Sequence, residues 1–224
     1  MTLGFRIRPV TTRVDAALCA RAAKLPAANI GDVVNRMQTM RGGFRAFGGR
    51  LAVAGPAFTV KARPGDNLML HRAIDLAAPG DVIVVDAGGD LGIATTGELM
   101  MGWAVRRGIA AVVIDGAIRD AAQLGEMELG VWARGVTPSG PYKDGPGEIG
   151  CPVACGGQVV MPGDLIMADE DGVVVLPYAD AESAIAAAEG HNAKEVAAQA
   201  AIDAGTWERS WVEETLRAKG CEGA

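Results

Sequence analysis

Histidine and cysteine are scarce in this chain, 2 and 4 of 224 residues. A zinc centre draws its ligands mainly from these two residue types, usually in paired spacings, and Cys151 and Cys155 have no second pair. A bound metal would therefore take oxygen ligands, which selects a hard cation, Mg2+ or Mn2+. Cys19, Cys151, Cys155 and Cys221 are too few and too scattered for a disulfide framework and read as reduced structural thiols. Positive charge is also short: 21 Lys and Arg against 27 Asp and Glu leave a net charge of -6 and a pI near 5.0. Without a clustered basic face, no nucleic acid partner is expected. No apolar run approaches the ~20 residues that cross a bilayer, and the N-terminus lacks a signal pattern, so a cytoplasmic protein with no membrane partner is expected. Nucleotide fingerprints are missing as well. Gly88, Gly89 and Gly92 follow an apolar strand, but their spacing matches neither dinucleotide nor P-loop motifs, and Asp86 and Asp90 would set negative charge beside a phosphate.

What the chain does have is apolar content, 50% of its residues, enough for a sizeable core in one domain spanning 1–224. Residues 1–40 are expected as N-terminal helices, 41–178 as the core and 179–224 as a C-terminal helical segment. Thr12 with Asp15 resembles a capping box, and Val14, Ala17, Leu18 and Leu25 recur at helical spacing up to Pro26. A second helix around Ile30 to Met37 would bury Val33, Val34 and Met37. Residues 41–49 read as a loop, with strand character at Leu51–Val53 and Ala57–Ala62. Three Pro-Gly-Asp triplets, at 64–66, 79–81 and 162–164, carry type II turn chemistry, proline fixing the first central residue and glycine supplying positive φ at the next. Asn67 to Ala77 reads as a helix, and its His71 stays unassigned.

Thr137 to Gly150 holds three prolines and four glycines around Tyr142, Lys143 and Asp144. It predicts a long irregular loop serving as a lid or subunit contact. Short strands follow at Val159–Val160, Leu165–Met167 and Val173–Leu176. From Asp180 alanine-rich helix dominates, interrupted at Gly205, with Trp207 and Trp211 on one helical face.

The stretch from Asp86 to Asp120 organises the rest. The strand Val82–Val85 runs into a glycine-rich loop, a helix starts at Glu98, and a second strand covers Ala111–Ile114, followed by a helix to about Met127 and a strand at Val131–Ala133. Joints of this kind are where open α/β sheets bind ligands. The polar residues at these joints are Asp86, Asp90, Glu98, Arg119 and Asp120. The Leu99 and Met100 amides at a helix N-terminus form an anion seat. Arg119 can add a bidentate fork, and Asp120 offers a carboxylate to a metal. On spacing alone, Arg119 and Asp120 read equally well as a surface pair on a turn, with Glu98 as a helix-start charge.

The string from Gly97 to Asp120, with acidic Glu98, twenty intervening residues and then Arg119-Asp120, resembles the D/E-x20-R-D motif of the class II pyruvate aldolases that cleave 4-hydroxy-4-methyl-2-oxoglutarate and 4-carboxy-4-hydroxy-2-oxoadipate. That family includes the regulator of ribonuclease activity A-like proteins. The likeness runs from about residue 28 to 178 and takes in Gly135 to Pro177. It implies an α/β fold, a swivelling β/β/α domain (phosphohistidine-domain-like) with N- and C-terminal helices, assembled as a homotrimer or homohexamer with active sites between subunits. It also implies that Gly97, Glu98, Leu99 and Met100 bind pyruvate, that Arg119 is a substrate residue, and that Asp120 is the direct ligand of Mg2+ (or Mn2+ or another divalent cation). Glu98 would act through metal-bound water, and a carboxylate from a neighbouring subunit's C-terminal helix has a place in the shell, with no residue of this chain assigned to it.

The activity implied is cleavage of a 4-hydroxy-2-oxoacid to pyruvate and a second oxoacid, with oxaloacetate decarboxylation as a side reaction. The alternative is a non-catalytic regulator binding a ribonuclease assembly, and the intact motif favours the enzyme. A Schiff-base aldolase using Lys61 or Lys143 is a third option, but neither lysine lies in a context that obviously desolvates it.

Overall fold

The computed structural model describes residues 3–223. The described residues begin with β1 (Phe5–Ile7), α1 (Ala16–Ala22), α2 (Ala27–Val33) and β2 (Arg45–Ala46). The alternating centre follows: β3 (Val53–Ala62), α3 (Leu68–Leu76), β4 (Val82–Ala94), α4 (Glu98–Arg106), β5 (Ala111–Ile118), α5 (Ala121–Gly125) and β6 (Gly130–Val136). Short strands come next, β7 (Gly147–Ile149), β8 (Val153–Cys155), β9 (Gln158–Val160), β10 (Leu165–Asp169) and β11 (Gly172–Leu176), and then α6 (Ala181–Asp203) and α7 (Ser210–Ala218). By internal contact the chain divides into two units between Ala188 and Glu189.

In the first unit β3, β4, β5 and β6 pair in parallel in that order. Parallel neighbours need long crossovers, and α3, α4 and α5 supply them. The sheet is extended by β7, antiparallel to β3, with β1 parallel to β7, and by β2, antiparallel to β6. The first half of β3 leaves this sheet to pair with β10, which pairs in turn with β11.

Successive side chains of a strand point to opposite faces, and both faces are covered here. Ile83, Val85, Val112, Ile114, Val131 and Ala133 pack with Leu70 and Ile74 of α3, Met101 of α4 and Leu124 of α5. Val82, Val84, Ala111, Val113 and Trp132 pack instead with Val153, Val160, Ile166 and Val175 of the second β layer. Double burial explains why Val82–Val85 reads as an unbroken apolar run rather than an alternating one. Each such side chain contributes roughly 1.5–3 kcal/mol. A third cluster joins Leu18 and Ile30 of α1 and α2 to Leu165, Met167, Val174 and Leu176 and to Ile185 of α6. The layering is β/β/α, as the resemblance implies.

The second unit holds the rest of α6, from Glu189, and α7, none of whose residues is buried. Arg209 stacks on Trp207, its guanidinium carbon 5.1 Å from the ring centroid. Trp207 precedes α7, so the two tryptophans do not share a helical face. No helix among the described residues is long and apolar enough to cross a membrane.

Several local expectations are corrected. Asp15, not Thr12, caps α1, accepting the Leu18 N–H at 2.7 Å. The second helix starts directly after Pro26 and is stopped by left-handed backbone at Asn35 and Arg36, so it buries Ile30 while Met37 is 64% exposed. Strand β3 is continuous from Val53, and β5 runs on to Ile118. The tail of the 137–150 segment is strand β7, not loop, held against β3. Strands β2 and β8, at two and three residues, are too short for periodicity to reveal. Cys19, Cys151 and Cys155 are buried free thiols, whereas Cys221 is exposed.

The triplet turns form as expected, with φ of +74°, +87° and +92° at Gly65, Gly80 and Gly163. Their aspartates do more than the turn requires. Asp66, Asp81 and Asp164 are all buried and accept backbone N–H groups from Leu68, Ala78 and Met161. A buried carboxylate is tolerable only when so satisfied.

The glycine-rich "loop" is also strand. Asp86 pairs with Asp115, Asp90 with Gly116 and Ala94 with Ala117, so eight steps of β4 cover two of β5 in successive bulges. Positive φ at Gly88 and Gly89 permits the excursion. Asp86 and Asp90 accept the Gly88 and Gly92 N–H groups at 3.1 and 2.9 Å, and so shape the bulges.

Candidate active site

The bulged strand brings its far end back into line with β5. The Thr95 N–H donates to Ala117 O at 2.8 Å and the Arg119 N–H to Thr96 O at 3.0 Å, so residues 95–97 and 117–119 run side by side. One chain then turns into α4 and the other into α5. Asp120 takes left-handed backbone, φ 59° and ψ 38°, a conformation that aspartate tolerates better than most residues. That turn directs its carboxylate away from its own helix and onto α4, where Oδ2 accepts the Glu98 N–H at 3.0 Å. A carboxylate at a helix N-terminus is favoured by the exposed amides and the helix dipole. Arg119 Nε lies 3.6 Å from the same oxygen.

This approach is possible because residue 97 is glycine. A Cβ there would sit 2.3 Å from Asp120 Oδ2 and 2.8 Å from Arg119 Cγ. The backbone at Gly97, φ -163°, is extended and open to any residue, so the requirement is for space.

Beside this junction is a cleft of about 140 Å³ lined by Asn67, His71, Thr96, Gly97, Leu99, Met100, Arg119, Pro141 and Lys143. Its volume is below the ~300–1,000 Å³ of drug-sized pockets, a scale that suits a small acid. The α4 ladder begins with the Met101 N–H donating to Gly97 O at 3.2 Å. The Leu99 and Met100 amides therefore lie in the first turn, ahead of any intrahelical partner.

Two polar side-chain atoms at the cleft are buried without a hydrogen-bond partner, Thr96 Oγ1 and Asn67 Oδ1. Both residues are 2% exposed, and Asn67 is oriented by its Nδ2 donating to Met100 Sδ at 3.1 Å. Buried polar atoms rarely stay unsatisfied, so this pair is open to a partner, either water or a ligand. Arg119 and Lys143 supply positive charge. The His71 imidazole is pushed below its ordinary 6.5 by burial and by the Lys143 ammonium, with Asp75 opposing, which favours its neutral form.

Of the six residues singled out from the sequence, Gly97, Leu99, Met100 and Arg119 line the cleft, and Asp120 joins the Glu98 amide to Arg119 at its edge. Met100 adds a buried side chain as well as an amide, whereas Glu98 and Leu99 project outward, Leu99 86% exposed. Asp86 and Asp90 are not among the cleft-lining residues. Sequence reasoning missed Asn67 and Thr96 and left His71 unassigned. The Pro- and Gly-rich loop was the available signal for Pro141 and Lys143. Lys61 lines a separate recess with Arg63 and Glu148.

Comparison with known proteins shows the family to which the chain belongs. Residues 27–175 match the RraA-like family model, described as Aldolase/RraA. The chain is 37% identical over 134 residues to a 4-hydroxy-4-methyl-2-oxoglutarate aldolase of Thermus thermophilus, covering 60% of this chain and 81% of the relative. It is 38% identical over 178 residues to a Halalkalibacterium halodurans protein provisionally assigned the same aldolase name, covering 80% of this chain and 85% of that one. Among solved structures it is similar to Streptomyces coelicolor RraAS2, described as an unusual member of the RNase ES inhibitor RraA family, with a TM-score of 0.73 at 30% identity over 84% of this chain and 98% of that one. The chain belongs to the RraA-like family of aldolases and RraA proteins.

Proposed function

We propose that the protein is a divalent-metal-dependent aldolase that cleaves a 4-hydroxy-2-oxoacid, of the 4-hydroxy-4-methyl-2-oxoglutarate or 4-carboxy-4-hydroxy-2-oxoadipate type, into pyruvate and a second oxoacid. The observation that carries this reading is the Gly97-Glu98 and Arg119-Asp120 junction, closed by the 3.0 Å bond from the Glu98 N–H to Asp120 beside a small cationic cleft with two unsatisfied buried polar atoms.

The residues present fit a hard cation. Asp120 is a part-exposed carboxylate whose surroundings are kept open by the missing Cβ of Gly97, and Mg2+ binds through one or two carboxylates while keeping several waters. Asp120 would hold it. When bound, the cation supplies Lewis-acid polarisation of the substrate's 2-keto oxygen.

The chain's own groups do the rest. The Leu99 and Met100 amides hold the pyruvyl carboxylate at the helix N-terminus. Arg119 stabilises negative charge as the enolate of pyruvate develops. Glu98, next in the chain to the cleft-lining Gly97, is the candidate for organising removal of the 4-hydroxyl proton. Lys143 and neutral His71 face the rest of the acid. Oxaloacetate loses CO2 through the same enolate, so one site serves both reactions. Exposed Leu99 and Trp103 offer a surface on which neighbouring subunits of a trimer or hexamer would complete the cleft.

The test is pyruvate release from these substrates with and without EDTA. Metal-dependent release supports the reading. No release from any of them under metal-replete conditions, together with binding to a ribonuclease assembly, would establish the regulator reading that the RraAS2 likeness favours.

A further inference from the structure

The cleft has two sides of different origin. Gly97, Leu99, Met100 and Arg119 come from the β4-α4 and β5-α5 joints, whereas Asn67, His71, Pro141 and Lys143 come from the start of α3 and from the 137–146 loop. A loop this rich in glycine and proline does not hold a lysine in place by its own backbone, so something else must fix it.

That something is the acid of the first triplet. Asp66 is 1% exposed and its two oxygens serve different elements. Oδ1 accepts the Leu68 N–H at 2.9 Å, at the start of α3. Oδ2 accepts the N–H groups of Asp144 and Gly145 at 2.7 and 2.9 Å. Backbone bonds flank it on both sides: the Tyr142 N–H donates to Gly65 O at 2.9 Å and the Asn67 N–H to Tyr142 O at 3.0 Å. One buried carboxylate thus ties the segment carrying Lys143 to the helix carrying His71.

We propose that Asp66 is a positioning residue for the aldol site: it latches residues 142–145 onto the start of α3 and so holds Lys143 at the cleft. The inference rests on the aldolase reading for its catalytic consequence, while the latch itself is a property of the fold. The substitution Asp66→Asn would keep the volume but turn one acceptor oxygen into a donor. Whichever oxygen remains, either Leu68 or the Asp144 and Gly145 pair then faces an N–H2 group. The 142–145 segment, exposed at Lys143 and Asp144, is the side that yields.

Three readouts on the full chain test this. In the wild type, hydrogen exchange at the Asp144 and Gly145 amides should be as slow as in β5, although they lie in a loop; exchange as fast as at exposed loop positions overturns the latch. In Asp66→Asn that protection should vanish, with KM for the oxoacid rising about tenfold, the loss of one charge-assisted contact, and kcat changing by less than about threefold. In a Lys143→Ala background Asp66→Asn should add almost nothing to KM, because its partner in function is already gone. An undiminished effect in that background would show that Asp66 acts through the fold at large and would overturn the proposal. Should Asp66→Asn fail to fold, the wild-type exchange pattern still decides. A wild type that releases no pyruvate would sink the aldolase reading, and the exchange measurement would judge the latch by itself.

Discussion

Replacing Gly97 by alanine adds one methyl group where the structure has no room for it. The new Cβ would lie 2.3 Å from Asp120 Oδ2, 2.8 Å from Arg119 Cγ and 3.1 Å from Arg119 Nε. Non-bonded heavy atoms settle at roughly 3.5 Å, so Asp120 must retreat by about 1 Å. The backbone is not the obstacle, since φ at Gly97 is extended. Nor is the fold, because the Arg119 and Asp120 side chains are 43% and 38% exposed and can swing outward. What stability loses is the bond from the Glu98 N–H, about 1 kcal/mol, a shift of roughly 2–4 °C in Tm for a chain of this size. What catalysis loses is larger, since a misplacement of about 1 Å costs on the order of 10²-fold, equivalent to about 2.7 kcal/mol of transition-state stabilisation. The expected result is a kcat/KM for pyruvate release down by about 10²-fold in a protein that melts within a few degrees of wild type. Turnover within threefold of wild type would show that the close approach at residue 97 is not needed, and a loss that only tracks unfolding would show that it matters for folding instead.

Asp120→Ala should abolish activity while lowering the melt by only a few degrees, since it too loses the bond from the Glu98 N–H, and EDTA should abolish activity of the wild type; turnover surviving either treatment removes Asp120 from the site. Arg119→Lys keeps the charge but loses the planar fork, so the rate should fall on the order of 10²- to 10³-fold; near wild-type turnover would reduce Arg119 to a source of bulk charge. Glu98→Gln should damage aldol cleavage much more than oxaloacetate decarboxylation, because only the former has a hydroxyl proton to lose. Equal losses in the two reactions would end the proton-transfer role, and failure of oxalate, a planar enolate mimic, to compete would end the shared-enolate mechanism.

Much of the site was legible because it is written locally. Glu98 opens α4 ahead of the apolar Leu99–Met101 stretch, and Arg119-Asp120 follows the apolar β5; both joints lie where an apolar run meets a polar residue. The opposite wall was not legible for the same reason. Asn67 looked like a helix start and Thr96 like a loop residue, and their significance lies in being buried with an oxygen left unpaired. Burial of one side chain by others distant in the chain leaves no periodic trace. The glycines at 88 and 89 misled in the other direction, since glycine marks loops and bulges alike and only pairing with β5 separates the two.

By itself the sequence determined the alternation of strand and helix from β3 to β6, the three Pro-Gly-Asp turns, and the identities at 97, 98, 119 and 120. Each rests on interactions within a few residues, such as turn geometry, helix starts and apolar runs. Tertiary structure alone decided that these four residues meet. Glu98 and Asp120 are 22 positions apart, and what joins them is the return of a bulged β4 into register with β5, a pairing set by burial on both faces of the sheet. It also decided that Asp66 spans from α3 to a loop some 78 residues away, because a carboxylate taken out of water must find its donors wherever the fold places them.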